Sequence, residues 1–351
     1  MFAESKLYQD DLLTVMSTNI PWYKLNRKSI FITGASGLLG TCLIDALMLW
    51  NKSQRGNGVK LYAGVRDVKL AEKRFAEYRE DVCVLQWDVN KSLKKKMNVD
   101  YVIHAASNTH PLAYANDPVG TIMTNTNGLN NVLDYARKIK AERTIFISSV
   151  EIYGQAWSED VFSEQYCGYI DCNTLRAGYP ESKRVGESIC QAYIEKYGMD
   201  IVIPRLSRTF GPNMRKNDSK ALSQFIKNAV NNEDIVLKSN GNQKYSYLYV
   251  VDAVSAILFL LLCGEKGEAY NVGQMQKILT LRELAYIISN YVNVNIKFDI
   301  PEELEKKGFS PVTTAIVETD KLCGLGWKQN IDISTALKHT IDILKMDKSK
   351  I

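Results

Sequence analysis

Apolar positions follow two alternating rhythms through the first part of the chain. Short apolar runs at Ser29–Ile32, Val59–Ala63, Val82–Trp87, Tyr101–His104 and Thr144–Ser148 have the length and bounding polar residues of buried strands. Between them, Leu38–Trp50, Val68–Tyr78 and Val119–Lys140 repeat apolar residues at helical spacing. A short helix over Tyr8–Met16 precedes the first strand, and a helix over Tyr179–Tyr197 with a strand over Asp200–Leu206 continues the series. Strands that alternate with helices require crossover connections, which predicts an α/β fold built on a parallel sheet.

The rhythm breaks after Gly211-Pro212-Asn213. Shorter elements follow around Ser219–Asn231, Thr280–Tyr291 and Ile333–Leu344, as expected of a smaller C-terminal α/β domain. Tyr245–Val250 and the apolar run Ala253–Cys263 are expected to return to the first domain. The predicted division is residues 1–207 for the larger domain, with 241–274 returning to it, and 208–351 for the smaller, the two closely joined around a cleft.

Composition narrows this picture. With 351 residues, 46% apolar and 24% charged, the chain is an ordinary globular protein. A net charge of +5 is mild, and the lysine-rich run Lys91–Lys96 reads as a solvated surface, so no nucleic-acid partner is expected. Seven scattered cysteines without a Cys-x-x-Cys pair fit reduced thiols in a cytoplasm. No signal-peptide pattern opens the sequence, and the longest apolar run falls short of the roughly 20 residues a bilayer needs, so no membrane association is expected. His104, His110 and His339 are too dispersed for a metal site, and none is predicted.

The candidate chemistry begins at Thr33-Gly34-Ala35-Ser36-Gly37-Leu38-Leu39-Gly40, where the first strand turns into the first long helix. Gly34 can adopt the angles of a tight turn, Gly37 lets the main chain approach a pyrophosphate, and Gly40 permits close packing. Ser36 and Leu38 complete the loop, and the helix N-terminus offers N–H groups to an anion.

A second group lies further on. Tyr179-Pro180-Glu181-Ser182-Lys183 sets a phenol and an ammonium on one helix face. A free phenol titrates near pH 10, so proton transfer near neutrality needs it lowered by about 3 pH units, roughly 4 kcal/mol, and a neighbouring cation is expected to supply much of that. Alone, such a pair is an ordinary helix surface. Here the fifth strand also ends in Ser148-Ser149-Val150-Glu151, which places a hydroxyl and a carboxylate at the sheet edge where ligands of open α/β folds bind.

Together these motifs resemble the extended short-chain dehydrogenase/reductase family, a Rossmann-type doubly wound parallel sheet with a smaller substrate domain. The resemblance extends through His104-Ala105-Ala106-Ser107, Asp88-Val89, Arg205–Pro212 and Leu325-Gly326-Trp327. It implies a nicotinamide cofactor and a nucleotide-linked sugar. On that basis Tyr179 exchanges a proton with the substrate, Ser149 orients the substrate oxygen, and Lys183 holds the cofactor ribose and tunes Tyr179. Ala105 and Ala106 line the cofactor, Asp88 and Val89 lie beside the adenine, and Ser107 touches substrate. The helices from Val119 and Tyr179 are implied to form a homodimer interface.

Departures from the family pattern narrow the reaction. Sugar-nucleotide dehydratases carry an Asp where this chain has Val150, which cannot donate a proton. Uronate decarboxylases carry Thr-Ser-Glu where this chain has Ser149-Val150-Glu151, and tend to have Asn and Arg where Arg208 and Tyr245 stand. At the end of the second strand, Gly64-Val65-Arg66-Asp67 puts Arg66 where a 2′-phosphate is read, so NADP(H) is favoured, with NAD(H) as the alternative if Asp67 takes the ribose hydroxyl. Arg205–Pro212, Lys220–Phe225 and Tyr245–Val250 are similar to capsule-pathway reductases that make CDP-alditols such as CDP-mannitol or CDP-arabinitol. The expectation is NADPH-dependent reduction of a CDP-linked ketose, with Arg208 and Lys244 offsetting the diphosphate and Glu151 contacting a substrate hydroxyl. The alternative is an NAD-retaining epimerase or decarboxylase of a UDP-sugar.

Overall fold

A computed structural model describes residues 5–109, 116–156, 161–274, 278–300 and 312–346. His110 lies outside them. In chain order the elements used below are α1 (Lys6–Met16), β1 (Ser29–Thr33), α2 (Leu38–Asn51), β2 (Lys60–Val65), α3 (Val68–Arg74), β3 (Val82–Gln86), β4 (Tyr101–His104), α4 (Leu129–Lys138), β5 (Arg143–Phe146), β6 (Ser148–Ser149), α5 (Gly178–Tyr197), β7 (Ile201–Leu206), α6 (Ala221–Asn231), α7 (Val250–Cys263), β8 (Ala269–Val272), α8 (Leu281–Val292) and α9 (Ile333–Met346).

The main sheet runs β8-β7-β5-β4-β1-β2-β3, and every pairing in it is parallel. Ile30, Phe31, Ile32, Val102 and Ile103 are fully buried, because helices cover both faces and leave the central strands no polar side. After β3 the chain crosses back past β1 to form β4. The order therefore reverses between β1 and β4, and the crevice beyond their C-terminal ends is the ligand position of such sheets.

Three predicted elements are interrupted. The helix expected over Val119–Lys140 is a short helix at Pro118–Met123, one π turn at Thr124–Gly128, and α4. The extra residue in that turn carries Asn125 into the interior, where it is 1% exposed. The helix expected over Val68–Tyr78 ends at Arg74, followed by a 3₁₀ turn. The fifth strand switches partners: β4 ends at His104, so Ser148 and Ser149 pair only with β7, and the chain then enters a 3₁₀ turn at Val150–Tyr153.

Beyond β7 the strands are short. Tyr245–Val250 is not one strand: Lys244–Tyr245 pairs with Leu279–Thr280 and Thr314–Val317, whereas Tyr247–Tyr249 pairs in parallel with Arg208–Phe210. Ser246 makes the step between them, its hydroxyl accepting the Val317 N–H at 3.1 Å. Helix α7 is buried from Val250 to Leu262 and packs between α2 and the sheet, as expected of a helix apolar on every side. Helix α1 is tied in by Asp11, which accepts from the Tyr249 hydroxyl at 2.7 Å and pairs with His339 Nδ1 at 2.8 Å on α9.

Candidate active site

The glycine loop fits a dinucleotide. Gly34 has φ +68°, and a Cβ there would meet the Ala105 and Ala106 backbone at 2.8 Å. A Cβ on Gly40 would sit 2.5 Å from the Gly34 carbonyl oxygen, so α2 could not approach the turn with any side chain at that position. Gly37 is the N-cap of α2 and supplies no side chain between the helix N-terminus and the crevice. Gly34, Ser36, Gly37, Asp88, Val89, Ala105, Ala106 and Ser107 line a cavity of about 640 Å³ that ends at Arg66. A smaller cavity of about 200 Å³ shares Gly34, Gly37, Ala105 and Ser107, takes in Leu38 and Gly40, and continues to Ser149, Glu151, Tyr179, Lys183 and Arg208. The two form one cleft across the switch point.

At the inner end, Tyr179 and Lys183 occupy successive turns of α5, 6% and 3% exposed. Tyr179 and Ser149 line the same cavity, and Ser149 Oγ accepts the Glu151 N–H at 3.3 Å. Lys183 Nζ donates to the Ile147 carbonyl at 2.8 Å and lies 4.9 Å from the Phe146 ring centroid. Burial pulls the Lys183 ammonium down to about 8. Burial also pushes the Tyr179 phenol up to about 12, opposed by Ser149 and reinforced by the Glu151 charge. The Lys183 ammonium is turned to Ile147, and Arg176 is the cation that acts to lower Tyr179.

Glu151 is held by arginines. Its Oε2 accepts from Arg176 at 2.6 Å, and its Oε1 lies 3.9 Å from Arg208. Arg176 comes from the 3₁₀ turn just before α5 and was not foreseen. A buried relay runs from Ser107 Oγ to Asn125 at 2.7 Å, from Asn125 to Ser182 at 2.9 Å, and from Ser182 to the Tyr179 carbonyl at 2.8 Å, joining the β4 loop to the start of α5.

Residues 30–273 match the model of the NAD dependent epimerase/dehydratase family. A curated relative, UDP-glucuronic acid decarboxylase 1 of Xenopus tropicalis, is 34% identical over 328 residues, covering 92% of this chain and 73% of that protein. The chain belongs to the NAD-dependent epimerase/dehydratase family. UDP-glucuronic acid decarboxylase 5 of Arabidopsis thaliana is 29% identical over 313 residues, 88% of this chain and 86% of that protein. In fold, a dTDP-glucose 4,6-dehydratase from Streptomyces venezuelae with NAD bound superposes with TM-score 0.78 at 19% identity, over 92% of this chain and 98% of that one. A UDP-glucuronic acid 4-epimerase from Bacillus cereus in complex with NAD gives 0.76 at 18%, over 91% and 99%.

Within this epimerase/dehydratase-family cleft two expected substrate contacts move. Tyr245 and Lys244 do not line either cavity. Tyr245 is buried behind Arg208, whose guanidinium carbon sits 3.7 Å from the ring centroid, and its hydroxyl donates to the Val312 carbonyl at 2.6 Å. The alternation of a strand turns Lys244 the other way. Thr209, Met214, Arg215 and Lys220, from the segment after β7, line the inner cavity instead. Among the described residues no cluster of His, Cys, Asp and Glu side chains is placed to hold a metal, and no helix is long and apolar enough to cross a membrane.

Proposed function

We propose that the protein is a nicotinamide-dependent oxidoreductase of a nucleotide-linked sugar, with Tyr179 exchanging the proton of the reacting hydroxyl or carbonyl. The observation that carries the reading is that Ser149, buried Tyr179 and buried Lys183 line the inner end of a cleft that opens on the glycine loop. A bound nicotinamide supplies hydride transfer. The chain supplies the rest: Lys183 for the ribose, Ser149 to orient the oxygen, and Arg208 and Lys220 as cations along the sugar and diphosphate path. Among the chain's own groups, Ser149 and Arg176 act to lower Tyr179 against its burial. The expected division into 1–207 with 241–274, and 208–351, belongs to the same reading, with the sugar held between the parts.

Two net reactions compete. The relatives favour a UDP-sugar converted with a retained cofactor, by epimerisation or decarboxylation, and the Glu151 carboxylate beside Ser149 suits that chemistry. Arg66 at the cofactor end favours the other, NADPH-dependent reduction of a CDP-linked ketose to the alditol for capsule synthesis. Incubation with UDP-glucuronate under NAD, or with a CDP-ketose under NADPH, separates them. The first predicts a changed sugar at constant reduced-nicotinamide absorbance, and the second a stoichiometric loss of that absorbance.

A homodimer is part of the proposal. Val119, Ile122 and Met123 on one helix and Val185 on α5 leave apolar side chains in solvent on the two helices assigned to the interface. Light scattering at twice the monomer mass supports it, and a monomer at micromolar concentration removes it. A cytoplasmic location is proposed from the seven cysteines, none of which is in a disulfide.

A further inference from the structure

The cofactor end of the cleft is built from two parts of the chain. Arg66 follows β2, while Arg215 and Lys216 come from the segment between β7 and α6, and all three line the same cavity. Arg74 lines it as well, but its guanidinium is paired with buried Asp45. Asp88 lines the cavity too, and Asp67, which follows Arg66 in sequence, caps α3 by accepting the Leu70 N–H at 3.0 Å. Desolvation first, and the Arg66 charge second, lower Arg215 from the usual arginine value, with Asp218 opposing them.

The segment that carries Arg215 is fixed at both ends. Asn213 Nδ2 donates to the Tyr8 hydroxyl at 2.7 Å, and that hydroxyl donates to Asp45 at 3.0 Å, anchoring the segment to α1 and α2. Beyond it, Lys227 Nζ on α6 donates to the Lys216 carbonyl at 2.5 Å and the Asp218 carbonyl at 2.7 Å. Two guanidinium groups facing one cavity from opposite walls repel each other unless an anion lies between them. Little ordering cost then remains to be met when such an anion binds.

We propose that Arg215, presented by the 213–218 segment, forms with Arg66 a two-arginine clamp for the 2′-phosphate of NADP(H), so that the substrate side of the molecule helps to choose the cofactor. This rests on the NADP(H) assignment above and adds a residue on the opposite wall. Because Met214 and Arg215 line both cavities, the same segment that grips the phosphate also borders the sugar.

The test is fluorescence titration of the purified protein with NADPH and with NADH, which needs no sugar substrate. Arg215→Ala is expected to weaken NADPH about tenfold or more while leaving NADH within about twofold. Arg66→Ala is expected to do the same, and Arg215→Lys to recover part of the loss. If Arg66→Ala is selective and Arg215→Ala is not, the clamp is overturned while the NADP(H) assignment stands. If Arg215→Ala weakens both nucleotides equally, the segment is merely structural and the clamp fails. Wild-type protein that binds NADH more tightly than NADPH overturns the cofactor assignment itself.

Discussion

The two ends of the cleft are made from opposite materials. At the inner end Tyr179 and Lys183 are almost completely buried on one helix, and their partners Ser149 and Ile147 follow β5 in an unbroken stretch of chain. At the outer end Arg66 and Arg215 are exposed, stand on segments far apart in sequence, and converge only through the fold. The inner end shifts pKa values by desolvation and so is suited to moving a proton. The outer end presents fixed positive charge to solvent and is suited to selecting an anion. Tyr179 lines only the inner cavity and Arg66 only the outer one, so these two can be altered separately.

The largest expected effect is at the inner end. Tyr179→Phe removes the proton donor and should lower turnover by roughly a thousandfold, with nucleotide binding by fluorescence nearly unchanged. Should binding fall as far as rate, the two ends are not separable.

Lys183 tests the burial of that end through pH. Its folded value of about 8 lies below the ordinary lysine value of 10.5. Below pH 8 both folded and unfolded chains carry the proton, and the fold bears the cost of a buried ammonium. Between these values only the unfolded chain keeps it, so stability relative to Lys183→Met should rise with pH, by roughly 3 kcal/mol at most. Paired denaturant titrations at neutral and alkaline pH check this, and a flat difference means that Lys183 is better solvated than it looks.

Glu151→Gln distinguishes the two net reactions at the same end. A retained-cofactor conversion that uses the carboxylate should lose roughly a hundredfold in turnover, whereas plain reduction should lose less than about tenfold. Smaller again is the relay that joins the β4 loop to α5: Asn125→Ala leaves Ser107 and Ser182 short of a partner and should cost about 2 kcal/mol of stability by denaturant unfolding.

The contrast between the ends also explains what could be read from sequence. Gly34, Gly37, Gly40, Ser149, Tyr179 and Lys183 were legible because each motif is local: a strand-to-helix turn, a strand end, and two residues on one helix face. The parallel sheet was legible for the same reason, since buried strands read as unbroken apolar runs. What escaped depends on residues brought together across the chain. Arg176 reaches Glu151 over a loop, Asn125 enters the interior only through a π turn inside an otherwise regular helix, and Arg215 meets Arg66 from the far side of the cleft. Tyr245 was placed in the substrate cleft because uronate decarboxylases tend to have Arg there, and Lys244 as a cation for the diphosphate, but the Tyr245 ring lies against Arg208 and neither residue lines the two cavities. Helix spacing says that Lys183 is near Tyr179, not that its ammonium donates to the Ile147 carbonyl.

The most direct measurement is mass spectrometry of nucleotide sugars after incubation with wild-type protein and with Tyr179→Phe, using UDP-glucuronate, UDP-hexoses and CDP-ketoses, each with NAD and with NADPH. Conversion of one of these by the wild type, slowed by at least about a hundredfold in Tyr179→Phe, is the predicted result. Equal conversion by the two proteins would contradict the assignment of Tyr179 as the proton-transferring residue.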